Sequence, residues 1–268
     1  MAEYQTINLT LDDRIAHIRL NRPDIRNAFN EVMIAEVNEA VNSLRERKGL
    51  RALILTGEGK SFCAGADLHW MRKMKDYSYE ENLKDALALA ELMYNLHSFP
   101  PPVIGRINGA AIGGGTGLVA VCDVVVAAES ARFSFSEVKI GLVPACISPY
   151  VVMRVGLSRA NRLFLTGERF DARTAMEYGL VDEVVEDSIL DEAVKEVIGK
   201  ILDSGPEAMA ISKELLRNVG NYDFETLKRY TAEVIAKLRV SEEGQEGLAA
   251  FLEKRAPKWT RNSSGGPC

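Results

Sequence analysis

Two glycine-bearing turns and one carboxylate are the parts of this chain whose residue types could do chemistry. Asn108-Gly109-Ala110-Ala111-Ile112-Gly113-Gly114-Gly115-Thr116-Gly117 precedes an apolar run, Leu118 to Val121, and then Cys122-Asp123. Consecutive glycines at the head of a helix let a ligand approach bare backbone. The first turn of a helix also carries unpaired N–H groups and the positive end of the dipole. Together these can hold an anionic oxygen, of a phosphate or of an enolate. Phe62-Cys63-Ala64-Gly65-Ala66-Asp67 is a second turn of small residues, able to present an N–H without side-chain obstruction. Two such donors about 3 Å from one oxygen make an oxyanion hole. Glu137 follows the short alternating segment Phe133-Ser134-Phe135-Ser136. An acid at a strand end in apolar surroundings has its pKa raised and can move protons. Taken singly, each has an ordinary explanation, because glycine turns serve packing and a strand-end glutamate is commonly a solvated charge or cap.

Other motifs fall away. Gly59-Lys60-Ser61 lacks the upstream glycine of a phosphate loop, since position 54 is Ile. No HExxH, CxxC or Gly-x-Ser-x-Gly pattern occurs. Of the histidines, only His69 lies near a candidate turn, and a lone histidine is more often structural. Cys63, Cys122, Cys146 and Cys268 have no metal-ligand spacing, so no metal is expected, and three of them sit among apolar or small residues, as reduced thiols in a cytosol do.

The elements that must position these residues follow from periodicity. The chain has 268 residues, 47% hydrophobic and 26% charged, enough for a large core in one domain or two. Its net charge of −5 argues against a dedicated nucleic-acid binder. The N-terminus shows no secretory pattern and no apolar run approaches about 18 residues, so no membrane association and a cytoplasmic location are expected. Strands are expected over Tyr4–Leu9 and Ile15–Leu20, joined at Asp12-Asp13, then over Arg51–Thr56, Val103–Ile107 and Val124–Ala128. Asn30 reads as the N-cap of an amphipathic helix, and a second long helix covers Tyr79–Leu96. Strand, helix and strand in repetition predict an α/β fold with a mainly parallel sheet. From Cys146 the chain reads mostly as helix. The expected organisation is an α/β core over 1–200, a helical oligomerisation region over 201–262, and a flexible tail over 263–268.

The ordered motifs Asn21-Arg22-Pro23…Asn27-Ala28, Phe62-Cys63-Ala64-Gly65-Ala66-Asp67, Asn108-Gly109…Gly113-Gly114-Gly115, Cys122-Asp123 and Phe135-Ser136-Glu137…Gly141…Pro144 resemble the enoyl-CoA hydratase/isomerase (crotonase) family, over nearly the whole chain. The resemblance implies a spiral of ββα turns with a helical C-terminal trimerisation region, assembled as a homotrimer or a dimer of trimers. It implies an acyl-CoA thioester as substrate, with no cofactor beyond the coenzyme A that the substrate carries. By position, Ala64 and Gly114 would donate the oxyanion-hole N–H groups and Glu137 would be the acid/base. Arg26, Ala28 and the run Ala64, Gly65, Ala66, Asp67 and Leu68 would line the substrate path. Arg255 and Lys258 match a basic end that reaches CoA phosphate, though an ordinary charged helix terminus explains them equally well.

The chain departs from the family pattern at Gly117, where many hydratases of this kind carry a second glutamate. Either Glu137 alone orients water and relays its proton, giving a hydratase, or it shuttles a proton between C2 and C4, giving an isomerase. A thioester hydrolase, a decarboxylase, and a non-catalytic CoA-binding or RNA-binding member stand as further readings. The segments 113–120, 136–142 and 147–150, with Asp67-Leu68-His69-Trp70-Met71, are similar to bacterial methylglutaconyl-CoA hydratases of leucine catabolism. A branched dicarboxylic acyl group would need a cation, and Arg72, Lys73 and Arg154 are the candidates.

Overall fold

The structure is a computed structural model, and it describes residues 3–260. The expected tail, 263–268, lies outside the described residues. The described chain forms two compact units: one of residues up to Phe99 together with Val103–Lys195, the other of Pro100–Pro102 together with residues from Glu196 onward.

The first unit is a spiral. A hairpin of β1 (Ile7–Asp12) and β2 (Ile15–Leu20) leads to α1 (Glu31–Arg45). There follow β3 (Ala52–Gly57), β4 (Ser61–Cys63), α2 (Leu68–Met74), α3 (Tyr79–His97), β5 (Val103–Ile107), β6 (Ala110–Ile112), α4 (Gly114–Ala120), β7 (Val124–Ala128) and β8 (Arg132–Ser134). The chain then makes a 3-10 turn over Ser136–Ile140, α5 (Ser148–Val155), α6 (Leu157–Thr166), β9 (Arg169–Asp171), α7 (Ala172–Glu177), β10 (Glu183–Val185) and α8 (Leu190–Leu202). Two sheets result, ordered β1-β2-β3-β5-β7-β10 and β4-β6-β8-β9. Apart from the antiparallel pairs β1/β2 and β8/β9, every pairing is parallel. Each pass from β3 to β8 therefore lays one strand in each sheet before a helix carries the chain onward, which is the crotonase-like ββα spiral.

The core explains the elements. β3 is buried at every position, as expected for a strand flanked on both sides by parallel neighbours. α1 buries Met33, Ile34, Val37, Ala40, Val41 and Leu44 along one stripe, and Asn30 caps it by accepting from the Met33 N–H. α3 opens with a reciprocal Ser78–Glu81 capping box. Phe62, Phe133 and Phe135 are fully buried around the second sheet.

Some expectations shift. β1 runs to Asp12, and the chain reverses after it through Asp13, whose φ of +49° makes the tight turn. The strand expected to reach Ser136 stops at Ser134, because Ser136–Ile140 winds into a 3-10 turn. β4, β6, β9 and β10 have three residues each, too few for a period to show. The division between units falls inside the continuous helix α8, a few residues before residue 200, since no linker interrupts that helix. In the second unit, α9 (Pro206–Asn218) is capped by Glu243 of α11 (Glu242–Leu252), whose carboxylate accepts from the Glu207 and Ala208 N–H groups at 2.8 Å. α10 (Phe224–Val240) lies between them in sequence. Lys213 donates to the Pro101 carbonyl at 3.1 Å, which explains why Pro100–Pro102 groups with this unit. Among the described residues no helix is long and apolar enough to cross a membrane.

Buried side chains staple the loops that carry the motifs. Asn27, fully buried, donates to the carbonyls of Glu58 and Ser61 at 2.9 and 2.8 Å and accepts from the Arg22 N–H at 2.9 Å. Asn108 donates to the carbonyls of Gly57 and Gly59 at 2.9 and 2.8 Å. Arg22 pairs with buried Asp67 at 2.7 Å and donates to the Ala28 carbonyl at 2.6 Å. Although burial pushes the Asp67 carboxyl up, the His69 N–H and the Arg22 guanidinium hold it below the ordinary carboxylate value. Arg22→Ala leaves that charge buried and unpaired, so urea unfolding at neutral pH should show a loss of about 3 kcal/mol. The loss should shrink as pH falls through the depressed Asp67 pKa, where the wild type also forfeits the pair.

Candidate active site

The two glycine-bearing turns meet backbone to backbone. Gly65 has φ +88°, and a Cβ built on it would stand 2.8 Å from the Ile112 carbonyl oxygen. A Cβ on Gly115 would overlap the Cys63 carbonyl oxygen. No side chain fits between the turn after β4 and the turn after β6. Gly113 donates to the Ser134 carbonyl at 2.7 Å, and the Thr116 hydroxyl donates to the carbonyls of Ala111 and Ser134 at 2.7 and 3.0 Å. The head of α4 is thus pinned to β6 and β8.

These contacts decide which amides are free. The Gly114 N–H opens α4, where no carbonyl of the helix can reach it, and it has no acceptor in the described protein. Ala64, expected to be the second donor, is not available: its N–H donates to the Arg26 carbonyl at 2.9 Å. The free amide of that turn belongs to Ala66. Its neighbours are used, since Phe29 N–H donates to Gly65 O and Asp67 N–H donates to Phe29 O, both at 2.9 Å, while the Ala66 N–H has no partner among the described residues. The left-handed Gly65 breaks the regular alternation of amide directions, so the count of residues along the turn does not reveal which N–H faces out. Phe29 serves both turns. Its backbone pairs with residues 65 and 67, and its ring packs so closely on Gly114 that a Cβ there would overlap it.

Glu137 sits in the 3-10 turn, with its carboxylate against the same glycines. A Cβ built on Gly113 would be 3.0 Å from Glu137 Oε1. Oε2 is buried and has no hydrogen-bond partner among the described residues. Burial pushes the carboxyl above the ordinary value, opposed only by its own backbone N–H, and no charged neighbour contributes. A half-buried acid with a buried, unpartnered oxygen, set against a glycine turn with a free amide, is the mark of a functional site. At Gly117 the side-chain volume is taken by Ile147, whose Cβ is 2.7 Å from where a Cβ on Gly117 would be.

The other candidates divide. Asp67 spends both oxygens, on the His69 N–H and on Arg22, so it caps α2 and holds the loop. Ala28 is buried, Arg26 and Leu68 are exposed, and Ala64 and Ala66 are half-buried. Arg255 and Lys258 belong to the second unit. The Arg255 fork is already held by Glu246, at 2.6 and 3.0 Å, and by Glu253, at 2.6 Å, because these carboxylates lie beside it in the same helical end. Lys73 pairs with Glu31, and Arg154 is spent on Asp182 and the Cys122 carbonyl, which leaves Arg72 exposed. Burial pushes the Cys63 thiol up to about 12, so it is no nucleophile. Sequence reasoning passed over Ile147 and Phe29, whose roles lie in contacts that no local pattern marks.

Residues 10–262 match the family model described as enoyl-CoA hydratase/isomerase. The chain is 36% identical to a putative enoyl-CoA hydratase of Thermus thermophilus, covering 91% of this chain and 97% of that protein. It is 31% identical to the short-chain-enoyl-CoA hydratase of Clostridium acetobutylicum, covering 97% and 99%. The crystal structure of an enoyl-CoA hydratase from Shewanella pealeana superposes with a TM-score of 0.93 at 43% identity, over 96% of this chain and 97% of that one.

The raised Glu137 carboxyl has a consequence for stability. A group whose folded pKa is raised stabilises the fold most below its unfolded pKa and loses that contribution as pH rises through the folded value. Glu137→Gln should therefore melt at a higher temperature than wild type above neutral pH. The advantage should vanish when the two melts are compared near pH 4.

Proposed function

The chain belongs to the enoyl-CoA hydratase/isomerase (crotonase) family, and from that premise we propose that it is a hydratase acting on the 2,3-double bond of an enoyl-CoA thioester with one acid/base, Glu137. The observation that carries this reading is the buried, unpartnered Glu137 Oε2 beside a glycine turn with a free amide.

The thioester carbonyl oxygen accepts from the N–H groups of Ala66 and Gly114. This draws electrons from C3 toward that oxygen and leaves C3 electrophilic. Glu137, ionised, accepts a proton from water as the water oxygen bonds to C3. The C2–C3 π electrons move toward the carbonyl and give an enolate, whose charge the two amides stabilise. The proton now on Glu137 passes to C2, the carbonyl re-forms, and Glu137 is ionised again. One water is consumed, its hydroxyl at C3 and its proton at C2. Desolvation raises the carboxyl, which brings its proton affinity nearer the working pH and suits a group that must both take and give a proton.

The acyl group we propose is a short branched one, 3-methylglutaconyl. The motif likeness supports it, and Arg72 is the cation left for a distal carboxylate. We also propose a homotrimer or a dimer of trimers, with Lys258, only loosely paired to Glu246 at 3.7 Å, available to CoA phosphate. An isomerase is the second reading. A single carboxylate suffices to move a proton between C2 and C4, and Gly117 supplies no other.

Purified protein incubated with crotonyl-CoA and with 3-methylglutaconyl-CoA should consume the enoyl absorbance and gain the mass of one water. Conversion of a 3-enoyl-CoA to its 2-enoyl isomer without water addition would replace the hydratase reading by the isomerase. Glu137→Gln should lower kcat by at least about 100-fold with KM little changed. The amides need a subtler probe, because Gly114→Pro would drive a side chain into the Phe29 ring. Replacing the amide of residue 66 or 114 by an ester removes only the N–H, and each ester should lower kcat by about 100-fold or more. An ester at Ala64 should leave kcat nearer to wild type and show its cost in thermal stability.

A further inference from the structure

Gly113 at the N-cap of α4 and Gly117 within it lie one turn apart, and the volume of each missing side chain is occupied. Gly117 donates its N–H to the Gly113 carbonyl at 3.2 Å, so the two glycines stand one turn apart. The volume of a side chain at 113 is met by the Glu137 carboxylate. The volume of a side chain at 117 is filled by Ile147, whose Cγ2 a Cβ there would overlap and whose Cδ1 it would meet at 3.3 Å. Ile147 is 2% exposed and fixed at the head of α5, where its carbonyl accepts from the Val151 N–H at 3.1 Å. Its neighbours Val151 and Val155 on that helix are buried apolar groups.

We propose that Ile147 is a positioning residue that walls the Glu137 side of the site with a branched alkyl group, occupying the volume from which a residue at 117 would otherwise act. This rests on Glu137 being the acid/base. The wall does two things. It excludes any second polar group from that face of α4, so water meets only Glu137. It also withholds solvent from the carboxylate, whose Oε2 finds no partner in the protein. Burial is what raises this carboxyl, while Arg154 on α5 is spent on Asp182 and Arg162 on α6 is spent on Glu168. An apolar wall acts where an ion pair would have held Glu137 permanently ionised and a poorer proton donor.

The test is a carbon-13 NMR titration of the glutamate carboxyls, with Glu137 assigned by its disappearance in Glu137→Gln, alongside kcat and KM. In wild type the Glu137 midpoint should lie above those of exposed glutamates. Ile147→Gly should bring it down toward them and lower kcat about tenfold, with KM changed less than about twofold. Ile147→Val keeps the Cβ and Cγ2 that fill the space and should restore most of both. Where thermal melting shows Ile147→Gly unfolded, Ile147→Ala is read in the same way. A folded Ile147→Gly or Ile147→Ala protein whose Glu137 midpoint stays at the wild-type value would overturn the proposal, whatever its activity. The titration needs no turnover, so failure of wild type to add water would sink the hydratase reading without deciding this one.

Discussion

The structure depends on the contact between two turns that belong to different strands and touch through bare backbone. The second sheet brings β4 and β6 side by side, and the turns that leave them must then share a space too narrow for a Cβ. Gly65 beneath the Ile112 carbonyl and Gly115 beneath the Cys63 carbonyl meet that demand. Once the turns are in contact, the amides of Ala66 and Gly114 are left without acceptors in the described protein, and the third turn of the spiral brings the Glu137 carboxylate against Gly113. Close packing of backbone is what leaves these groups without partners.

Much of the surrounding machinery serves that contact. Asp67, which the resemblance put on the substrate path, and Asn27, Asn108 and Arg22 spend their hydrogen bonds on loop carbonyls, amides or an ion-pair partner. Buried polar groups that are fully used make a loop single-valued, because every alternative arrangement leaves some of them unpaired. Phe29 adds an apolar clamp, pairing its backbone with one turn and laying its ring on the other. Among the described residues of these turns, the Ala66 and Gly114 amides and Glu137 Oε2 are left without partners.

What could be read from the residues alone tracks the range of the forces involved. α1 and α3 carry their own caps and stripes, and β3 and β5 their own apolar runs, so local sequence suffices for them. The three-residue strands exist only because a neighbour pairs with them, and they left no period to find. Glu137 and Gly114 were legible as candidates because an acid in apolar surroundings and a triglycine are unusual in themselves. The choice between Ala64 and Ala66 was not legible. Two alanines on one turn differ only in whether the Arg26 carbonyl, distant in sequence, accepts a hydrogen bond from one of them. Ile147 was invisible for the same reason, since nothing in Ala145-Cys146-Ile147-Ser148 says that it will fill the side-chain space of Gly117.

The central claim is that one carboxylate carries out both proton transfers, taking the proton from water and delivering it to C2. If Glu137 takes the proton from the attacking water and returns it to C2, both additions occur on the face of the substrate that Glu137 occupies. Hydration of crotonyl-CoA in deuterium oxide, with the relative configuration at C2 and C3 of the product read from proton coupling, tests this directly. The account predicts a single diastereomer, with deuterium and hydroxyl added to the same face. Addition to opposite faces, or a mixture of the two, would contradict it and require a second proton donor.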